Sequence, residues 1–300
     1  MCFIYHYLSK MKARYLLPKL LDRLGLLPYT NIVETMQLNG KALRVPILRR
    51  TGYMTLYMPE MWMIRLLEHF LPLQKGMFVD VGVNLGQTML KLRSVDTDIA
   101  YIGFEPNPNC LAYTHQLIAA NAFRNTTLIP VGLAATTQVL ELNLFEDNDS
   151  DGTASITTDI RPDKVVHKKI HVPVFAFEQV QHFLTENIAI LKIDVEGAEW
   201  EVLQTMKAAI VAQRPIILIE ILTVYAAQNA FIREQQTNIE HFTEENSYQI
   251  CRVQKDEQDG FVALTPLSVI GAHSDPRGCD YALLPKELVG KVAHLFTVNN

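Results

Sequence analysis

Between residues 77 and 221 the chain alternates short, almost wholly apolar runs with stretches whose apolar residues recur every three or four positions. The runs cover 77–81, 101–104, 127–131, 188–193 and 216–221, each of strand length. Helical spacing fills 87–93, 108–120 and 198–210, and returns over 225–245. Apolar strands separated by helices predict a mostly parallel sheet covered on both faces, a doubly wound α/β domain. Two later runs, 248–253 and 281–284, have only a loop with Pro266, Gly271, Pro276 and Gly278 between them. They predict an antiparallel hairpin at the sheet edge.

Upstream the period changes. Residues 32–58 alternate apolar and polar around Asn39-Gly40 and again around Thr51-Gly52, which predicts strands joined by tight turns. A helix follows over 61–70, stopped by Pro72. From 8 to 27 apolar residues recur at helical spacing with Lys10, Lys12, Arg14, Lys19 and Arg23 between them, a basic amphipathic helix. Such a helix either packs on the domain or docks on an anionic membrane surface, a peripheral contact through residues 1–28. The expected organisation is an N-terminal helix and β-hairpin extension over 1–58, then one domain over 59–300.

Charge sharpens this picture. The 27 Lys and Arg against 32 Asp and Glu give −5, with a pI near 6.0, which disfavours a nucleic-acid partner. Residues 1–50 nevertheless carry nine Lys or Arg against Asp22 and Glu34, so +7 at this end stands against −12 elsewhere. The four cysteines form no CxxC pair, and reduced thiols fit a cytoplasmic protein. No apolar stretch near the N-terminus reaches the ~20 residues that a spanning helix needs.

The candidate chemistry sits at strand ends. The run 77–81 enters a glycine-containing turn, Gly82-Val-Asn-Leu-Gly86, at the carboxyl end of the first parallel strand, where open α/β sheets bind ligands. Gly82 and Gly86 are read as letting backbone approach a ligand closely. Glu105 ends the next strand, where a carboxylate can accept both hydroxyls of a ribose. Asn84 and Gln87 stand where a dinucleotide fingerprint asks for glycine, so a pyrophosphate is poorly accommodated. Asp80 would repel a pyrophosphate and welcome the ammonium of a methionine moiety. S-adenosylmethionine therefore suits Asp80, Gly82, Asn84, Gly86 and Glu105 best. Asp80 and Asn84 serving only the turn and the helix start is the alternative.

Asp80-Val-Gly-Val-Asn-Leu-Gly86, Phe104-Glu-Pro-Asn107 and Leu191-Lys-Ile-Asp-Val-Glu-Gly-Ala-Glu199 together resemble the FkbM-type methyltransferases, across roughly residues 50–285. The resemblance implies a Rossmann-like, seven-stranded methyltransferase sheet and S-adenosylmethionine as cofactor. It also implies O-methylation of a hydroxyl on a sugar, glycan or polyketide-like small molecule. Val83 departs from the alanine usual in that family.

A hydroxyl is a poor nucleophile until its proton is removed. Lys192, Asp194, Glu196 and Glu199 cluster at the end of the 188–193 strand, and alternation puts Lys192 and Asp194 on one face. Burial beside the carboxylate of Glu220 would raise the pKa of Asp194 and suit a general base, with Glu196 second. Asp194 contacting the cofactor's amino group is the equal alternative, and Glu199 reads as a helix-start residue. A divalent ion assisting the hydroxyl stays open without a ligand set, and no residue is assigned to a metal. Asp147-Asn-Asp-Ser-Asp-Gly152 copies half a calcium loop but has Thr158 at its twelfth position, so it reads as a solvated acidic loop. His167 and His171 lack a third ligand, and His273 reads as a surface residue of a loop that could help select the acceptor. Two rivals remain: a dinucleotide-dependent oxidoreductase and an inactive methyltransferase fold serving as a binding module.

Overall fold

A computed structural model describes residues 15–57, 60–145, 165–223, 230–273 and 275–297. The acidic loop at 147–152 and the helical pattern before residue 15 lie outside the described residues. The chain opens with α1 (Leu16–Arg23) and the strands β1 (Asn31–Leu38) and β2 (Lys41–Leu48). Asn39 and Gly40 both take positive φ, the tight hairpin turn their sequence predicts. The alternation does not continue as strand past Leu48: Leu48 bridges back to Thr51, and a 3-10 turn covers Met54–Tyr57. After α2 (Met61–Phe70) come β3 (Met77–Val81), α3 (Gln87–Val95), β4 (Tyr101–Phe104), α4 (Pro108–Asn121) and β5 (Thr126–Ile129). The strands β6 (Gly132–Leu133), β7 (Gln138–Leu144) and β8 (Lys168–Phe175) form a separate three-stranded sheet in the order β6-β8-β7. Then follow α5 (Phe177–Val180), β9 (Ile188–Ile193), α6 (Glu199–Gln213), β10 (Ile216–Glu220), α7 (Ala230–Glu245), β11 (Tyr248–Lys255), β12 (Phe261–Leu267), β13 (Asp280–Pro285) and α8 (Lys286–Val289).

The main sheet is α/β and Rossmann-like, in the order β12-β11-β13-β10-β9-β3-β4-β5. Five adjacent strands, β10, β9, β3, β4 and the edge strand β5, run parallel. Of these β9, β3 and β4 are buried on both faces because helices cover both. Val79, Ile102, Leu191 and Ile217 meet Val202, Leu203 and Met206 of α6. On the other face Phe78, Tyr101, Ile190 and Leu218 meet Trp62, Leu66 and Phe70 of α2.

The sheet has eight strands, not seven. β11 and β13 do pair antiparallel at one side, but β12 joins outside β11 and becomes the edge. Its Pro266 argued for a loop in the sequence; opposite Cys251 on an edge strand a missing N–H is tolerated.

The hairpin is tied to the domain by Tyr113 of α4, whose hydroxyl donates to the Pro46 carbonyl at 2.8 Å. Asn121 adds a two-way bond with the Arg44 backbone at 2.7 Å each. Val45, Ile47, Leu90 and Leu117 share one buried cluster there. Among the described residues no helix is long and apolar enough to cross a membrane.

Candidate active site

At the carboxyl end of β3 the chain turns through residues 82–86 into α3. Gly82 has φ +89°, and a Cβ there would lie 1.9 Å from the Asp194 carbonyl oxygen. At Gly86, φ +75°, a Cβ would meet Leu117 and Thr114 of α4. The Cβ direction at both glycines is filled by protein, by the chain leaving β9 at Gly82 and by α4 at Gly86, so both let the turn settle against its neighbours, while the Gly82 backbone still lines the site.

Asn84, at φ +49°, donates its backbone N–H to Glu105 Oε2 at 2.7 Å. Glu105 Oε1 accepts from the Asn107 backbone at 2.8 Å. The carboxylate is thus clamped across the turn while each oxygen keeps a lone pair for a ligand. Burial pushes the Glu105 pKa up to about 7, against the pull of these two N–H groups.

Two clefts open at this sheet end. The first is walled by Glu105 and Glu196 and by the apolar side chains of Pro106, Leu133, Leu142 and Val174. The second is walled by Glu60, Trp62, Lys91, Lys192, Glu220 and Asp280, together with Gln87 and Thr88 at the start of α3. Gly82, Asn84 and Asp194 line both.

Asp80 lines neither cleft. It is fully buried beneath the turn, where Oδ2 accepts the Tyr101 hydroxyl at 2.6 Å and Oδ1 faces Lys192 Nζ at 3.6 Å. Burial pushes its pKa up, opposed by the Lys192 charge and the Tyr101 bond. Its sequence-expected reach to a ligand ammonium is therefore corrected: Asp80 acts on the clefts through Lys192. The register explains the contact, since Asp80 and Lys192 are direct partners across β3 and β9.

Lys192 and Asp194 do share a face, Nζ to Oδ2 being 3.1 Å, and Nζ also reaches the Gly82 carbonyl at 3.3 Å. Burial would raise the Asp194 carboxyl, but the Lys192 charge and hydrogen bonds from Lys192 and Glu220 outweigh it and hold it low. Glu220 takes the opposite course, driven well above the carboxylate range by burial and by the charges of Asp194, Asp280 and Glu196. The raised carboxyl of the pair is thus Glu220, not Asp194 as its sequence neighbours suggest. The negative charge of Asp194 beside it favours the protonated form of Glu220.

Glu199 does what a helix-start acid should: it accepts from the Val195 and Gly197 backbones at 3.3 and 2.9 Å, with burial lifting its pKa to about 8. Glu196 stands in the wall of the first cleft at φ +53°. His273 lies 3.1 Å from the Tyr281 hydroxyl, which Arg252 also contacts, and lines neither cleft.

The family model for the methyltransferase FkbM domain matches residues 80–250. The chain belongs to the FkbM methyltransferase family. No curated protein sequence matches it significantly. Among solved structures, methyltransferase FkbM from Methylobacillus flagellatus KT is 14% identical, with a TM-score of 0.43, covering 78% of this chain and 54% of its own. The chain thus spans about half the length of that protein. A putative caffeoyl-CoA O-methyltransferase from Staphylococcus aureus is 12% identical at TM-score 0.40, over 74% of this chain and 82% of its own. A putative O-methyltransferase from Klebsiella pneumoniae is 11% identical at 0.41, over 73% and 77%. The family assignment rests on the match over residues 80–250 alone.

In this FkbM methyltransferase the second cleft holds residues that its sequence motifs do not mark. Glu60, just before α2, pairs with Lys91 of α3. Asp280 bonds Lys255 at 2.5 Å, and burial lifts its pKa to about 6 against that lysine's charge. Asp280 starts β13 directly opposite Glu220. Only the antiparallel insertion of β13 beside β10 brings it there, so no spacing in the sequence could have found it. Among the described residues no group of three or more His, Cys, Asp or Glu is arranged to hold a metal ion.

Proposed function

We propose that this protein transfers the methyl group of S-adenosylmethionine to a hydroxyl oxygen of a sugar, glycan or polyketide-like small molecule. The residues present fit that cofactor. Glu105 and the apolar wall of Leu133, Leu142 and Val174 suit a nucleoside, with the carboxylate's spare lone pairs for the ribose hydroxyls. The amide N–H groups at the start of α3 suit the carboxylate of the methionine tail. When bound, the cofactor supplies an electrophilic methyl on a sulfonium.

The observation that carries the reading is Asp194, an ionised carboxylate on the shared wall of both clefts. The second cleft would take the hydroxyl-bearing acceptor, with Asp194 on the wall it shares with the cleft that would hold the cofactor. The hydroxyl proton would pass to Asp194, with Glu220 already protonated beside it. Lys192 is the positioning residue that keeps Asp194 ionised and turned to the boundary. Alignment and proton removal are the two tasks such a displacement asks of a protein.

The test is transfer from methyl-labelled cofactor to a panel of soluble hydroxylated acceptors, comparing the native chain with Asp194→Asn. The expected result is an ether-linked label and a fall of roughly 10²–10⁴ in rate for the variant, the span of a lost general base. A label on nitrogen or carbon, or an undiminished rate in Asp194→Asn, would overturn the assignment.

A further inference from the structure

We infer that α1 is a docking surface for an anionic lipid bilayer. A surface helix on a globular protein normally turns its apolar stripe to the core. In α1 the stripe faces outward: Leu16, Leu17 and Leu20 are 68%, 53% and 55% exposed, and Leu24 just past its end is 61% exposed. At 3.6 residues per turn these positions fall within about 100° of arc, one continuous ridge. The inward side is carried by Pro18, which is buried, and by Leu21, which packs on the hairpin cluster.

Charge selects the occupant. The segment 15–50 carries six Lys or Arg against Asp22 and Glu34, in a chain whose remainder is strongly acidic. Asp22, the one acid of α1, is paired with Arg50 at 3.4 Å, while Lys19 and Arg23 flank the leucine ridge. Apolar side chains rimmed by cations fit acyl chains beneath anionic headgroups. A second copy of this chain would set like charges against each other across a two-fold axis.

On its inward side the helix is anchored on Tyr57: Tyr15 packs edge-on against that ring at 5.8 Å and Lys19 sits over it at 5.7 Å.

The test is co-sedimentation of the full chain with phosphatidylcholine vesicles, with and without phosphatidylserine. Binding should require the anionic lipid and fade as added salt shortens the screening length from ~10 Å at 0.1 M to ~3 Å at 1 M. Leu17→Ser with Leu20→Ser should weaken it by roughly tenfold or more, and Lys19→Gln with Arg23→Gln by about fivefold per charge. Binding of S-adenosylhomocysteine should stay unchanged in both variants, and the thermal midpoint in the leucine variant, so the outcome is separate from the proposed chemistry. Equal pelleting with neutral vesicles, or no pelleting, overturns the inference. So does a dimer dispersed by the leucine substitutions, or a lowered midpoint in them, which would mean that residues 1–14 or another part of the chain cover the ridge.

Discussion

Replacing Glu105 by Gln tests the cofactor half of the site most directly. The carboxylate accepts backbone N–H groups from Asn84 and Asn107 at 2.7 and 2.8 Å, one on each oxygen. An amide keeps one acceptor oxygen, so one of these N–H groups would face an NH2, at about 1–3 kcal/mol of stability. Ribose hydroxyls would also exchange charge-assisted bonds for neutral ones, a loss of roughly 1–3 kcal/mol, or about ten- to a hundredfold in affinity. The pH dependence adds a second signature. Burial lifts Glu105 from 4.5 to about 7, so the protonated group's contribution to stability is complete below 4.5 and is lost as pH rises through about 7. A shift of that size spans about 3 kcal/mol. Hydroxyl donors favour the ionised carboxylate, so affinity for the cofactor moves the other way and rises over the same window. Titration calorimetry with S-adenosylhomocysteine between pH 5.5 and 8 should show tightening and proton release in the native chain and neither in Glu105→Gln. A native affinity that is flat across that range, or that Glu105→Gln leaves unchanged, would refute the assignment of Glu105 to the ribose.

Gly82→Ala should abolish cofactor binding and lower the thermal midpoint, because its Cβ would stand 1.9 Å from the Asp194 carbonyl oxygen at a φ of +89°. Glu220→Gln, which keeps a donor toward Asp194, should retain most methyl-transfer activity, whereas Glu220→Ala should not. Because burial and nearby carboxylates raise Glu220, its protonated form and the activity that depends on it should fall as pH climbs through that raised value, while Glu220→Gln stays flat. Arg93→Met should cost about 3 kcal/mol or more in denaturant unfolding, since the fully buried guanidinium donates to the carbonyls of Thr97, Ile99 and Arg124 at 2.8–3.1 Å and to Thr126 Oγ1 at 3.0 Å. A change under 1 kcal/mol, less than about a third of that figure, would show that water replaces the arginine.

Periodicity alone determined the parallel core of this member of the FkbM methyltransferase family. Runs such as 77–81, 101–104 and 188–193 are too apolar to border water and too short for buried helices, so they coincide with β3, β4 and β9 to the residue. Local chemistry likewise placed Glu105, Asn84 and Asp194 at one sheet end, because parallel strands all finish on the same side. What the sequence could not decide depends on contacts between distant segments. β12 hid behind Pro266, since tolerance of proline is a property of an edge and the edge exists only once β11 and β13 have paired. The protonation of the Asp194–Glu220 pair turned on Lys192 and on Asp280, the latter delivered by a strand that runs backwards beside β10. Gly82 announced a turn in the sequence, but which atoms fill the space beside it is settled only when β9 hands the chain to α6 against it. The leucines of α1 read equally well as core or as surface until the hairpin took Pro18 and Leu21 and left the other face outward. In each case local pattern fixes what a segment can form, while the sign of a charge's effect and the side of a helix that meets solvent depend on which neighbours the tertiary fold supplies.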